Sequence, residues 1–220
     1  MAEAAVEGRR VFGLGLAAMT DGVATRLVSA NLSNASSVKV QLLFVDEDGE
    51  QTQSSAVLCL LDAADVDTHR ALLQHKVDQS VRDGQTLLHR VGELFPRLLM
   101  GDTARTQIGA LTGTEPVFGQ VLRHLRVLNH AAVEWAAGTS FSPSGISFSV
   151  ESQATLDDGK LGPMRDFPTP EGFAHERWSL HTKMTGGNGA RLYFRGVRRE
   201  GAGFVLIGYC GDHLPTVRYR

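Results

Sequence analysis

The chain has 220 residues, of which 42% are hydrophobic and 21% charged, and this usage is ordinary for a globular protein of one large or two small domains. Its apolar runs, such as residues 11–19 and 56–61, end well before the ~20 residues that a bilayer span needs, so the sequence predicts no transmembrane helix, and we expect no membrane partner. The pattern also lacks a secretory signal and a disulfide framework, so we expect a cytoplasmic protein with reduced thiols.

The formal net charge of −2 is unevenly divided along the chain. Residues 1–94 contain 8 Lys and Arg against 13 Asp and Glu, whereas residues 95–220 contain 14 against 11. The first part is therefore acidic and the second basic. Excesses of this size are typical of solvated surfaces, so charge alone does not indicate a nucleic-acid partner.

The first part predicts an acidic region of short strands followed by helix. Residues rich in β-formers predict two or three short strands, within 23–32, 38–45 and 54–61. The acidic stretch 46–49 has the chemistry of a hairpin turn. From residue 63 to residue 94 apolar side chains recur at three- and four-residue steps, which predicts one bent helix or two, with Gly84 as the break. Pro96 ends this helix, so we place a domain boundary between residues 94 and 95.

The second part, residues 95–220, predicts an α+β domain. Two helices come first, at residues 102–111 and 116–137, and the second carries an apolar stripe. Residues 139–173 are rich in Gly, Ser and Pro and predict a long inserted loop with one strand at 145–150. Three further runs then predict an antiparallel meander, at 177–184, 190–197 and 204–210, with a glycine turn at 185–189.

Side chains on a strand alternate between its two faces, so the meander sorts its polar residues onto one side. Glycines near the end of the last strand let the backbone turn and bring a histidine toward that side. We expect this face to be exposed to solvent, opposite the helices. The predicted polar face has six members: His181, Lys183, Arg191, Tyr193, Arg195 and His213.

Such a face has the groups needed to cleave RNA by attack of its own 2′-hydroxyl on the adjacent phosphate. The reaction needs a base, an acid for the departing 5′-oxygen, and cations around the developing charge. Histidine titrates near neutrality and serves either proton transfer, whereas arginine matches phosphate oxygens with its planar fork. A zinc site built from Cys210, His213 and either His181 or His175 is an alternative, although a fourth ligand is not evident.

Three segments of the second part resemble the end of the RelE/ParE toxin superfamily: Trp178-Ser179-Leu180-His181, Arg191-Leu192-Tyr193-Phe194-Arg195, and residues 205–214, which end in Gly211-Asp212-His213-Leu214. The resemblance is closest to the YafQ-like branch and covers roughly residues 95–220. It implies a small α+β ribonuclease that cuts messenger RNA, usually in the ribosomal A site, and that an antitoxin inhibits. The partners it implies are RNA, the ribosome and an antitoxin or other protein, with no cofactor and no metal.

By this resemblance, His181, His213 and Arg195 would be catalytic, and RNA or phosphate binding would fall to Lys183, Arg191, Tyr193 and Arg218. The chain departs from the family in its greater length, its lower basicity and its insertion at 139–173, and residues 1–94 match nothing in the family. ParE-like relatives share the fold without cleaving RNA. A non-catalytic module that binds a protein partner or RNA is therefore the alternative hypothesis.

Overall fold

The computed structural model describes residues 3–6, 9–10, 13–20, 23–25, 36–46, 49–60, 62–170, 172–185 and 189–218. The chain forms two compact units, Met1–Val77 and Asp78–Arg220. The predicted boundary after residue 94 lies later in the chain than this division. Leu87 is completely buried in one core with Val81 and Phe95, so the helix that contains it packs within the second unit.

The first unit contains a mixed sheet with a short helix on one face. Its described elements are β1 (Glu3–Val6), β2 (Arg9–Arg10), α1 (Gly13–Met19), β3 (Val23–Thr25), β4 (Ser37–Asp46), β5 (Gly49–Leu60), α2 (Ala63–Thr68) and α3 (Arg70–Ser80), whose last residues belong to the second unit. The strands lie in the order β2-β1-β4-β5-β3, and the β4–β5 pairing confirms the predicted hairpin. The turn residues 47–48 and the continuation of the first predicted strand at 26–32 lie outside the described residues.

The predicted helix at 63–94 is divided into three helices, α2, α3 and α4 (Gly84–Leu94). Asp83 caps α4, because its carboxylate accepts the Thr86 backbone N–H at 2.7 Å. The backbone hydrogen bond from Thr86 lowers the pKa of Asp83 by stabilising its charged form. The break predicted at Gly84 therefore starts a new, capped helix instead of bending a continuous one.

The second unit is built on a five-stranded sheet. After α4 its elements are β6 (Leu98–Met100), α5 (Asp102–Gly109), α6 (Pro116–Glu134), β7 (Phe148–Val150), α7 (Gln153–Asp157), a 3₁₀ turn at Gly162–Arg165, β8 (Leu180–Lys183), β9 (Arg191–Arg199) and β10 (Ala202–Gly211). The strand order is β6-β10-β9-β8-β7, with β6 parallel to β10. The antiparallel β8-β9-β10 pairing confirms the predicted meander and the α+β class. Turn residues 186–188 lie outside the described residues.

Helices α5 and α6 pack on one face of this sheet. The predicted stripe of α6 is confirmed, since Val121, Leu125 and Leu128 are completely buried. They meet Leu192 and Phe194 of β9 in the main core, so the intervening side chains of β9 point to the opposite face. Within the described part of the chain, no helix combines the length and the apolarity needed to cross a bilayer.

The opposite face of the sheet is covered, which corrects the prediction that it is exposed to solvent. The Phe167 ring stacks on the Tyr209 ring with centroids 4.8 Å apart, and Trp178 donates its indole N–H to the Phe167 carbonyl at 3.0 Å. These aromatic residues pack with Tyr193 and Leu206 in a second, smaller core. The predicted loop at 139–173 is therefore an integral layer of the domain, because its apolar residues bury this face.

Gly84 allows α4 to approach α5 closely. A Cβ atom at this position would lie 1.7 Å from the Ile108 carbonyl oxygen, and the Gly84 N–H donates to the Leu111 carbonyl at 2.9 Å. We expect Gly84→Ala to lower the free energy of unfolding by about 1–3 kcal/mol or more, since the added methyl overpacks this contact. Gly92→Ala on the same helix meets nothing within 4 Å and should raise that free energy by up to about 1 kcal/mol. Urea unfolding measures both changes, and a Gly84→Ala protein as stable as the wild type would contradict this packing.

Candidate active site

A cleft of about 760 Å³ opens on the covered face of the sheet in the second unit. Its walls come from β7 and the residues after it, β8, the start of β9, and the segment that follows β10. The lining residues are Ser149, Val150, Glu151, Ser152, Thr155, His181, Lys183, Gly189, Arg191, His213, Thr216 and Arg218. Five of the seven predicted site residues are among them: His181, Lys183, Arg191, His213 and Arg218.

Strand register explains why these residues meet. Lys183 of β8 lies directly opposite Arg191 of β9, which in turn lies opposite Gly211 of β10. His181 precedes Lys183 by two residues and so shares its face, and His213 follows Gly211 by two residues. Groups that are distant in sequence are thereby gathered at one end of the meander.

Tyr193 does not line the cleft, although it was predicted to bind RNA. Only 1% of its surface is exposed, and its hydroxyl donates a 2.5 Å hydrogen bond to Glu151 Oε1. Burial raises the pKa of Tyr193, and the hydrogen bond to Glu151 adds to this effect. Because the ring lies inside the second core, Tyr193 is not placed to bind RNA in the cleft.

Arg195 was predicted to be catalytic and also lies outside the cleft lining. Its Nη2 donates to the Ala174 carbonyl at 2.7 Å, and its Nη1 lies 2.6 Å from Glu176 Oε2. The guanidinium also lies 5.3 Å from the centre of the Trp178 ring. These contacts commit Arg195 to the layer that covers the sheet, and it is not grouped with the two histidines.

His181 lines the cleft although only 6% of its surface is exposed to solvent. Its Nδ1 lies 3.1 Å from the Ser179 carbonyl, which can only accept, so the neutral ring carries its proton on Nδ1. Burial lowers the pKa of His181. At neutral pH the residue is therefore an uncharged imidazole whose Nε2 has an available lone pair.

His213 lies just beyond β10, on the cleft wall formed by the C-terminal segment. Partial burial lowers the pKa of His213, and the positive charge of Arg191 lowers it further. The electrostatic effect of Arg191 links the histidine to the cations of the cleft. An anion bound between them would reverse this effect and favour the protonated imidazole.

The cleft carries an excess of positive charge. Among the described lining residues, Lys183, Arg191 and Arg218 face one carboxylate, that of Glu151. Lys183 and Arg191 are cross-strand neighbours of like charge, an arrangement that costs stability unless an anion lies between them. The Nε of Arg191 is buried and has no hydrogen-bond partner among the described residues. These features favour binding of an anion such as phosphate.

A buried ion pair includes one residue of the cleft lining, Glu151. Arg165 has 0% relative exposure, and its Nη2 donates to Glu151 Oε1 at 2.9 Å and to the Pro215 carbonyl at 2.8 Å. Its Nη1 donates to the Leu161 carbonyl at 3.0 Å. Glu151 also accepts the Tyr193 hydroxyl, so its Oε1 is already engaged by Arg165 and Tyr193 and is less available to the cleft cations.

Glu151 and Arg165 were not predicted from the sequence. Both fall in the stretch 139–173, whose Gly, Ser and Pro content predicts a loop. A signal was nevertheless present, because Arg165 follows Met164 and lies between Leu161 and Phe167 in a mostly apolar run. An arginine among apolar residues is costly to bury unless it is paired, which indicates an ion pair.

The alternative zinc site is not supported by the geometry. Cys210 packs in the main core beneath the helices, whereas His181 lines the cleft on the other face of the sheet. Burial raises the pKa of the Cys210 thiol to about 12, so it does not supply a thiolate. In the part of the chain that the structure describes, three or more His, Cys, Asp or Glu side chains do not cluster as a metal site.

We expect Arg165→Met to lower the free energy of unfolding by about 3–5 kcal/mol, because it leaves the Glu151 carboxylate buried and unpaired. Tyr193→Phe removes one hydrogen bond to that carboxylate and should cost about 1.5–3 kcal/mol. Arg177→Met is the control, because its ion pair with Asp166 is partly exposed and should contribute less. Chemical denaturation measures all three, and equal losses for Arg165→Met and Arg177→Met would contradict the assignment.

Protein-family models, curated proteins and solved structures give no match to this chain. The chemistry of the cleft is therefore the basis on which a function is assigned.

Proposed function

We propose that the cleft binds a phosphodiester of RNA and cleaves it by attack of the neighbouring 2′-hydroxyl. The observation that carries this proposal is the grouping of His181 and His213 with Lys183, Arg191 and Arg218 in one cleft. Two proton-transfer groups and a set of cations are what this reaction needs. Under this proposal the protein is an endoribonuclease that acts without a metal ion, as a toxin or defence effector.

His181 is the proposed base. Its neutral imidazole carries a proton on Nδ1, so Nε2 is the nitrogen that removes the proton of the 2′-hydroxyl. The resulting oxygen attacks phosphorus while the bond from phosphorus to the 5′-oxygen breaks. The products are a 2′,3′-cyclic phosphate and a 5′-hydroxyl, so the reaction consumes no water and no cofactor.

His213 is the proposed acid, which donates a proton to the departing 5′-oxygen. Burial and then the positive charge of Arg191 lower the pKa of this histidine, and the negative charge of a bound phosphodiester offsets the effect of Arg191. Lys183, Arg191 and Arg218 would bind the phosphate oxygens and stabilise the additional charge of the transition state. Substrate binding and activation of the acid are therefore coupled through the same anion.

The arrangement of elements supports the proposed RelE-like fold. Two helices, α5 and α6, precede the β8-β9-β10 meander and pack on one of its faces. That arrangement agrees with the order implied by the resemblance of residues 178–181, 191–195 and 205–214 to the RelE/ParE superfamily. Under this proposal, messenger RNA is the substrate, whether free or on the ribosome, and an antitoxin or other protein is the inhibitor.

The second candidate is a module that binds RNA or a protein without cutting RNA. It is favoured by one observation, the commitment of Arg195 and Tyr193 to the layer over the sheet. Their absence from the cleft leaves fewer groups for transition-state stabilisation than the resemblance implies. Binding of RNA by a protein that releases no fragments would favour this candidate.

The test compares purified wild type with His181→Gln, His213→Gln and the control His89→Gln, which alters an exposed histidine of α4. We expect the two cleft variants to lose at least about 100-fold in RNA cleavage, the usual contribution of a general acid or base. His89→Gln should match the wild type. Induced expression in a bacterial host, with growth and messenger-RNA 5′ ends followed, extends the comparison to cells. Equal activity of all four proteins, or none in any of them, would overturn the proposal.

The pH dependence of kcat/KM provides a separate prediction. Activity requires deprotonated His181 and protonated His213, and burial lowers the pKa of both histidines. The maximum should therefore lie on the acid side of about pH 6.5, the ordinary histidine value, and the alkaline limb should follow His213. Arg191→Gln removes a positive charge and should move that limb to higher pH, whatever its effect on the maximal rate. An alkaline limb that does not move would contradict the role of His213.

A further inference from the structure

The C-terminal part of the cleft wall has no regular secondary structure of its own. Residues 212–218 follow β10 and carry His213 and Arg218 into the cleft. Tyr209 donates its hydroxyl to the Asp212 carbonyl at 2.9 Å, which fixes only the start of this segment. Its later residues need other contacts to hold the two side chains in place.

Those contacts come from the layer that covers the sheet. The Nη2 of Arg165 donates to the Pro215 carbonyl at 2.8 Å, and the Val217 N–H donates to Thr155 Oγ1 at 3.4 Å. Thr155 and Arg165 are both buried almost completely. Two buried side chains therefore tie the segment to residues that are about fifty to sixty positions away in the chain.

Stability alone is a poor explanation for Arg165. Its Nε is buried with no hydrogen-bond partner among the described residues, which is an uncompensated desolvation cost. A buried ion pair is often replaceable by apolar residues without loss of stability. What an apolar pair cannot do is donate at the same time to the Glu151 carboxylate and to the Pro215 carbonyl.

We propose that Arg165 is a positioning residue of the cleft, whose guanidinium holds the segment with His213 and Arg218 opposite His181 and Lys183. The inference rests on the proposed function, since it deepens the account of the same site. Arg165 acts through two acceptor atoms, the Pro215 carbonyl oxygen and Glu151 Oε1. It does not itself line the cleft. It orients the histidine and pairs with the Glu151 carboxylate, which would otherwise compete with substrate phosphate.

The geometry makes arginine specific at this position. The guanidinium spans the Leu161 carbonyl, Glu151 and the Pro215 carbonyl with donors in one rigid plane. A lysine ammonium keeps the charge but has three donors on one atom and lacks the planar fork. Arg165→Lys therefore removes the positioning role while it keeps a positive charge beside Glu151.

The experiment compares the full-length wild type with Arg165→Lys and Thr155→Val, which weakens the second tether. Arg177→Lys is the matched control, because Arg177 belongs to the same layer but contacts Asp166 and the Leu156 carbonyl and lies outside the cleft lining. Thermal melting identifies the variants that fold. The readouts are the titration of the His213 imidazole by NMR, the affinity for inorganic phosphate, and kcat/KM for RNA.

In Arg165→Lys we expect the His213 titration to move toward the ordinary histidine value and phosphate affinity to fall at least about 10-fold. The kcat/KM for RNA should fall by about 100-fold, the size of effect that a misplacement of about 1 Å produces. Thr155→Val should change the same quantities in the same direction, and Arg177→Lys should change none of them. If Arg165→Lys does not fold, the His213 titration of Thr155→Val decides, because Thr155 lines the cleft and its replacement also changes phosphate binding directly.

A folded Arg165→Lys or Thr155→Val protein with wild-type His213 titration and phosphate affinity would overturn the positioning role. So would an Arg177→Lys protein with the same losses, because the effect would then be general to the layer. Absence of RNA cleavage in the wild type would overturn only the proposed function. The NMR and phosphate measurements would still decide the role of Arg165.

Discussion

The second unit depends on a buried electrostatic contact between the sheet and the layer that covers it. Glu151 accepts hydrogen bonds from Arg165 and from Tyr193 of β9, and Arg165 also donates to the carbonyl of Pro215. Removing either charge would leave the other buried and unpaired in a site from which water is excluded. The contact therefore joins the covering layer, the central strand and the C-terminal segment into one structure.

The same contact determines the charge of the cleft. Since Glu151 is paired with Arg165, the positive charges of Lys183 and Arg191 are left for a ligand. Burial and the positive charges of those cations lower the pKa of both neighbouring histidines, which favours their uncharged form. A phosphodiester would relieve the repulsion between the cations and promote protonation of His213. Ligand binding and proton transfer therefore depend on the same group of charges.

The sequence allows prediction of those features that follow from the regular repeat of side-chain directions along a strand or a helix. The face shared by His181 and Lys183 follows from strand alternation, and the stripe of α6 follows from helical spacing. The burial of Tyr193 and Arg195 could not be predicted, because it depends on how residues 139–173 fold back over the sheet. Glu151 and Arg165 meet across fourteen positions of a Gly-, Ser- and Pro-rich stretch, where no period indicates the pairing. The later predicted boundary has a similar cause, since Leu87 belongs to a core formed mainly by residues further along the chain.

The most direct test is the chemistry of the RNA ends that the purified protein produces in the presence of a metal chelator. Attack by the 2′-hydroxyl, with His181 and His213 transferring protons, predicts a 2′,3′-cyclic phosphate on one fragment and a 5′-hydroxyl on the other, with neither formed by His213→Gln. An RNA with a single 2′-deoxy substitution at the cleaved position should remain intact. Fragments with 5′-phosphate and 3′-hydroxyl ends, or cleavage of the 2′-deoxy substrate at the same position, would contradict the account.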